Sequence, residues 1–155
     1  MHQFIGNIDA KADNKGRLFV PALYRKSLEK SGEDALYLKL DAVSKCVKLY
    51  PGSVWKKIDA EFKGNLNLWD KGNLKLYRQF TSQVDQVELD SAGRVLIQKR
   101  YLDKIEVETE AVFVGIGEYF EIWNRENFEK SLFDEEEFDK AMQEKMGNPQ
   151  LKTTE

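Results

Sequence analysis

The sequence predicts an α+β, β-rich fold: two pseudo-symmetric repeats with short peripheral helices and a C-terminal helix. Three observations predict it. First, Asp13-Asn14-Lys15-Gly16-Arg17-Leu18-Phe19-Val20 and Asp90-Ser91-Ala92-Gly93-Arg94-Val95-Leu96-Ile97 are each Asp-x-x-Gly-Arg followed by three apolar residues, 77 positions apart. Second, the flanks echo as well: Phe4 to Asp9 parallels Val84 to Leu89, and Ala35 to Leu40 parallels Ala111 to Ile116. Third, Leu36/Leu38/Leu40 and Val112/Val114/Ile116 alternate with period 2, as half-buried strands do. Self-similarity on this scale means two copies of one unit. A unit of about 60 residues buries too little surface to stand comfortably alone, so the copies are expected to share one core.

Each element follows from local chemistry. Phe4, Ile5 and Ile8 read as a first strand, and the triplet Leu18-Phe19-Val20 as a second. Pro21 suits the first position of a short helix reaching Lys30 and ending near Gly32. Two alternating strands follow, the second through Val47 and Leu49, joined by a loose turn at Asp41-Ala42-Val43-Ser44. Pro51 opens a helix with Val54, Trp55, Ile58 and Phe62 on one side. Leu66 to Phe80 reads as a connecting helical segment, weakened by Gly72. The second copy repeats the order, with Gly115-Ile116-Gly117-Glu118 as its hairpin turn and Arg125 to roughly Leu132 as its last helix. Residues 134–147 read as a charged helix with Phe138 and Met142 four apart, and 148–155 as a frayed tail. The expected organisation is a first repeat over 4–65, a connector over 66–82, a second repeat over 83–132, and a charged helix and tail over 133–155.

Composition narrows the function. Apolar content is 41% and charged content 33%, as in globular proteins with a wet surface. No run approaches the roughly 20 apolar residues of a membrane span, and the N-terminus lacks the basic and apolar segments of a signal peptide. The lone Cys46 precludes an intramolecular disulfide and reads as a buried, inert thiol in a cytosolic protein. With one histidine, His2, at a terminus, neither a His/Cys metal site nor a Ser-His-Asp arrangement is expected, and no cofactor is implied. The net charge of −3 hides an asymmetry: residues 1–82 carry 15 Lys and Arg against 9 Asp and Glu, whereas 118–155 carry 5 against 11. A basic first half suggests a polyanion partner there.

The repeated motif has a physical reading. Asp closes a tight turn by accepting backbone amides ahead of it, and Gly takes a positive φ. Arg, four residues after Asp, is held extended with a planar fork suited to phosphate or a guanine edge. Asp13, Gly16, Asp90 and Gly93 are therefore expected to form the turns. The bland alternative is that each Asp–Arg pair only staples its turn. Arg17 is flanked by Lys11 and Lys15 and followed by Arg25 and Lys26, so the first turn is expected to dominate phosphate or base contact. Arg94, beside Ser91 and Ala92, is expected to contribute less. Trp55, Trp69, Phe80 and Trp123 read as core or interface aromatics.

At these residues the chain resembles the MraZ family, a branch of the AbrB-like (swapped-hairpin) DNA-binding proteins. The resemblance rests on Phe4-x-Gly6, on Asp13-x-Lys15-Gly16-Arg17-Leu18-x-Val20-Pro21-Ala22-x-x-Arg25, and on the second motif with Gly115-x-Gly117 and Phe120-Glu121-Ile122-Trp123. It covers roughly residues 4–132. Two positions depart from the usual pattern: Gln98 stands where the family commonly has Pro, and Ala12 where a larger apolar residue is usual.

The resemblance implies two AbrB-like, swapped-hairpin or small β-barrel repeats. It also implies a bacterial, sequence-specific transcriptional regulator in the cytoplasm and nucleoid. Such a protein binds double-stranded DNA at direct repeats upstream of the cell-division and cell-wall gene cluster, its own gene included. Its partner besides DNA is itself, in a ring-shaped homo-oligomer. In this reading Lys15 and Arg17 reach the DNA, while Lys11, Arg25 and Lys26 add phosphate contacts. An AbrB-like antitoxin or protein-interaction module whose acidic C-terminal region masks a partner is the alternative. An enzyme working through Asp13 and Asp90 is a poorer one.

Overall fold

The computed structural model describes residues 2–33 and 35–147; the tail read as frayed lies outside them. The elements are β1 (Asn7–Lys11), β2 (Arg17–Phe19), α1 (Ala22–Lys30), β3 (Leu36–Asp41), β4 (Cys46–Pro51), α2 (Gly52–Gly64), α3 (Lys71–Ser82), β5 (Val84–Val87), β6 (Arg94–Leu96), α4 (Lys99–Lys104), β7 (Glu110–Gly115), β8 (Phe120–Trp123), α5 (Arg125–Ser131) and α6 (Glu135–Met146). The fold is α+β and strand-rich, with the two repeats in sequence order.

The two copies exchange strands. The larger sheet runs β1-β7-β8-β4-β3-β5, and β2 pairs β6 in a separate two-stranded ribbon. Every pairing is antiparallel. The first strand of each copy thus joins the hairpin of the other: β1 lies on β7 and β5 lies on β3, while β4 and β8 meet at the centre. The β3–β4 and β7–β8 hairpins are local, but neither copy closes its own sheet.

One core results. Leu38, Val47, Leu49, Phe113, Phe120 and Ile122 from the sheet pack with Leu18, Val20, Val95 and Ile97 from the ribbon, all at most 1% exposed. Tyr24 and Leu28 of α1, and Tyr101 and Leu102 of α4, complete it. On the opposite sheet face, Tyr50 of β4 packs in one cluster with Val54 and Trp55 of α2 and Phe80 of α3. Phe62 of α2 stacks on Phe80 of α3 with centroids 4.2 Å apart. Cys46 is fully buried, and burial pushes its thiol pKa upward, as an inert thiol requires.

Two sequence readings need correction. The connecting helix begins at Lys71, because Asp70 caps it by accepting from the Asn73 amide at 3.1 Å. Leu66 to Trp69 precede the helix, and Trp69 is 96% exposed, which excludes the core half of its core-or-interface reading. By contrast, the Gln98 departure leaves the backbone intact. Gln98 sits at φ −58°, ψ 144°, and Pro21 at φ −52°, ψ 141°, so α4 starts as α1 does.

The chain divides into two compact units, one up to Arg125 and one from Glu126 onward. In the second, Glu126 pairs with Lys130 at 3.0 Å. There α6 opens on a capping box: Asp134 accepts from the Glu137 amide at 2.8 Å, and Glu137 accepts from the Asp134 amide at 3.2 Å.

Candidate nucleic-acid interface

Each Asp-x-x-Gly-Arg segment folds into the same turn. Asp13 Oδ1 accepts from the amides of Lys15 and Arg17, both at 2.9 Å, and Asp13 Oδ2 accepts from Arg17 Nε at 2.7 Å. Asp90 does the same with the amides of Ala92 at 3.0 Å and Arg94 at 2.9 Å, and with Arg94 Nε at 2.8 Å. Gly16 and Gly93 stand at φ +88° and +84°, a conformation that favours glycine. Chiefly the Arg17 amide, helped by its guanidinium and the Lys15 amide, holds the Asp13 carboxyl down to about 2. The Asp90 pKa is lowered by the corresponding groups. Each carboxylate thus uses both oxygens to shape the turn. Each ion pair uses only the guanidinium Nε, and the Nη groups of Arg17 and Arg94 make no hydrogen bond among the described residues.

The exchange of strands brings these turns together. Arg17 lies opposite Leu96, Leu18 opposite Val95, and Phe19 opposite Arg94. Leu18 and Val95 point into the core, so the pleat sends Arg17, Phe19, Arg94 and Leu96 to the outer face. Arg17 and Arg94 are diagonal neighbours on that face, roughly 7–8 Å apart by sheet geometry. Phe19 is 59% and Leu96 50% exposed, and the Arg94 guanidinium lies 5.8 Å from the Phe19 ring centroid. Two motifs 77 residues apart in sequence therefore make one surface, with a turn at each end of the ribbon.

That arrangement corrects the reading of the flanking charges. Because β2 runs antiparallel to β6, it ends beside the second turn, where the Val20 amide donates to Gly93 O at 3.0 Å. Helix α1 follows, and its Arg25 guanidinium lies directly against Gly93, in a cleft shared with Asp90, Ser91 and Glu29. Arg25 and Lys26 therefore belong to the helix beside the second turn and not the first, though they follow the first in sequence. The first turn is flanked instead by α4, with Lys99, Leu102 and Asp103. At the offset of 77, Leu102 and Asp103 replace Arg25 and Lys26. Basic groups are thus divided between the turns. Lys15 is exposed at the tip of the first, and Lys11 is exposed at the end of edge strand β1.

His2, set aside as a terminal residue, is 4% exposed. Its Nδ1 lies 2.7 Å from Ser27 Oγ, and its Nε2 lies 2.9 Å from Glu33 Oε2. Glu33 in turn accepts from the Ser53 amide at 3.1 Å and hydroxyl at 2.6 Å, at the start of α2. Burial raises the Glu33 pKa, but the bonds from His2 and Ser53 outweigh it and leave the carboxyl below its ordinary range. The residue types are those of a nucleophilic relay. Yet the imidazole is enclosed and stacked on Phe4 at 4.9 Å, so the relay acts as a clasp between the N-terminal segment, α1 and α2. No sequence spacing signals it, since the partners lie 25 and 31 residues away. Among the described residues, no group of three His, Cys, Asp or Glu side chains is arranged to hold a metal ion. None of the described helices is long and apolar enough to cross a membrane.

The family model for "MraZ protein, putative antitoxin-like" matches residues 4–75 and again 80–148. A protein of Bacteroides thetaiotaomicron named transcriptional regulator MraZ is 40% identical over 148 residues, 96% of this chain and 95% of that protein. Proteins of the same name from Phocaeicola vulgatus and Hydrogenovibrio crunogenus are 39% and 30% identical, over 94% and 83% of this chain and 94% and 84% of their own lengths. With two consecutive matches to one family model, relatives aligned nearly end to end, and two identically built Asp–Gly–Arg turns, this chain belongs to the MraZ family.

Proposed function

We propose that this protein is a sequence-specific DNA-binding transcriptional regulator without enzymatic activity, and that the β2–β6 ribbon with its two turns is the DNA-contacting surface. One observation carries the reading: Arg17 and Arg94 sit as neighbours on one exposed face, each oriented through Nε by an aspartate that leaves the Nη groups for a ligand. A planar donor pair suits phosphate oxygens or a guanine edge. Lys15 and Lys11 beside the first turn, and Arg25 and Lys26 on the helix beside the second, supply phosphate contacts that fix position. Asp13, Gly16, Asp90 and Gly93 shape the turns. The names of the relatives support regulation of transcription.

The finer reading follows the family resemblance. The DNA is a set of direct repeats upstream of the division and cell-wall gene cluster, the protein's own gene included. Several protomers of a ring-shaped homo-oligomer engage successive repeats and gain affinity through effective concentration. The protein works in the cytoplasm, at the nucleoid. Footprinting on the DNA upstream of its own gene tests the proposal. Protection of regularly spaced short repeats is the expected result; uniform, sequence-independent protection refutes specific recognition.

A further inference from the structure

Helix α6 presents an exposed apolar stripe on an acidic helix. Phe138, Met142 and Met146 recur every four residues and are 56%, 44% and 44% exposed. Glu135 and Asp139 border the stripe within one turn of Phe138 and Met142. Over its length α6 carries five Asp and Glu against two Lys. Its capping box makes it a well-started helix by its own local chemistry. Exposed apolar residues in register on one helix face mark a surface that is covered in use, and the acidic border makes DNA an unsuitable cover.

A complementary surface exists in the other unit. Residues 52–82, the α2–α3 hairpin, carry six Lys and Arg against three Asp and Glu. On α3, Lys71, Lys75 and Arg78 are spaced four and three apart and form one exposed stripe. It faces away from Tyr77 and Phe80, which pack against Phe62 of α2. Leu74, three residues from Lys71 and four from Arg78, lies beside it and is 38% exposed, and Trp69, just before the helix, is 96% exposed. The two helices match in length at 12 residues each. The α2–α3 hairpin also covers the sheet face opposite the β2–β6 ribbon, so a protein docked on it leaves the ribbon open.

We propose that α6 of one protomer docks on the α2–α3 hairpin of a second copy of this chain, apolar stripe on Trp69 and Leu74, acidic border on Lys71, Lys75 and Arg78. The inference rests on the assembly reading above and adds which surfaces meet. The surfaces differ, so the contact is heterologous: each copy gives one helix and receives another, and the series closes as a ring.

Charge reversal on the full-length chain tests it, with molar mass read by light scattering after size exclusion and folding by circular dichroism. One variant is Lys71→Glu/Lys75→Glu/Arg78→Glu, the other Glu135→Lys/Glu136→Lys/Asp139→Lys. Each alone is expected to fall to monomer mass. Mixed in equal amounts they restore the assembly, because each then offers the charge its neighbour lacks, which a contact within one chain cannot reproduce. If either reversed variant fails to fold, Phe138→Ser/Met142→Ser is the substitute, also expected at monomer mass. Folded variants that keep the wild-type mass, or reversed monomers that do not reassemble on mixing, overturn the docking while leaving the assembly reading standing. A monomeric wild type overturns both.

Discussion

Gly16→Ala and Gly93→Ala are matched substitutions with unequal expected costs. Both glycines sit at positive φ, where any Cβ costs roughly 1–2 kcal/mol. Their surroundings differ. A Cβ on Gly16 runs into the Ile97 carbonyl oxygen, which is backbone, with Leu102 Cδ1 behind it at 3.4 Å. A Cβ on Gly93 meets the Arg25 side chain, which can swing into the adjoining cleft. Relieving the first clash moves Ile97 and weakens its amide bond to Gly16 O, now 2.9 Å, at roughly 0.5–1.5 kcal/mol. The forced shift of the packed strand adds about 1–3 kcal/mol. Gly16→Ala should therefore cost roughly 2.5–6.5 kcal/mol and Gly93→Ala roughly 1–2 kcal/mol. Urea unfolding followed by far-ultraviolet circular dichroism measures both, at one fixed protein concentration because the proposed assembly would make stability concentration-dependent. A Gly93→Ala cost equal to or above that of Gly16→Ala refutes the reasoning, for it means that the Ile97 carbonyl does not limit the first turn.

Other outcomes follow from the same geometry. The Asp13 pKa, about 2 folded against 3.8 ordinarily, means that its stabilisation is fully present above pH 3.8 and lost as pH falls toward 2. The carboxyl carbon of Asp13 should therefore titrate near 2 by nuclear magnetic resonance, and Asp90 below its ordinary value; midpoints at or above 3.8 contradict the turn chemistry. His2→Ala should destabilise the fold by roughly 1–3 kcal/mol through the stranded Ser27 and Glu33 partners, and an unchanged urea midpoint removes the clasp. Cys46 should resist a thiol reagent in the native protein and react once denaturant is added; prompt native reaction contradicts its burial.

Much of the fold was legible because its signals are local. Alternation marked the β3–β4 and β7–β8 hairpins, Pro21 and Pro51 marked the starts of α1 and α2, and the repeated motif marked both turns. What a repeat cannot reveal is which copy's strand pairs with which. Arg25 and Lys26 follow Arg17 within nine residues of sequence, yet the exchange of β2 onto β6 carries them to the other turn. Trp69 lies outside the core for a local reason: Asp70 starts α3 later than the apolar spacing suggests, leaving Trp69 outside the helix. The expectation that the first turn dominates phosphate or base contact depended on cations that the fold divides between the turns.

The most direct test is the salt dependence of binding to duplex DNA from upstream of the protein's own gene, for wild type and for Arg17→Ala/Arg94→Ala. Each phosphate contact contributes about −0.9 to the slope of log K against log salt. With both arginines on phosphates, the double variant should bind more weakly, with a slope shallower by about 1.8 for every protomer engaged, at unchanged mass and fold. A double variant that binds with wild-type affinity and slope contradicts the assignment of the β2–β6 ribbon as the DNA-contacting surface.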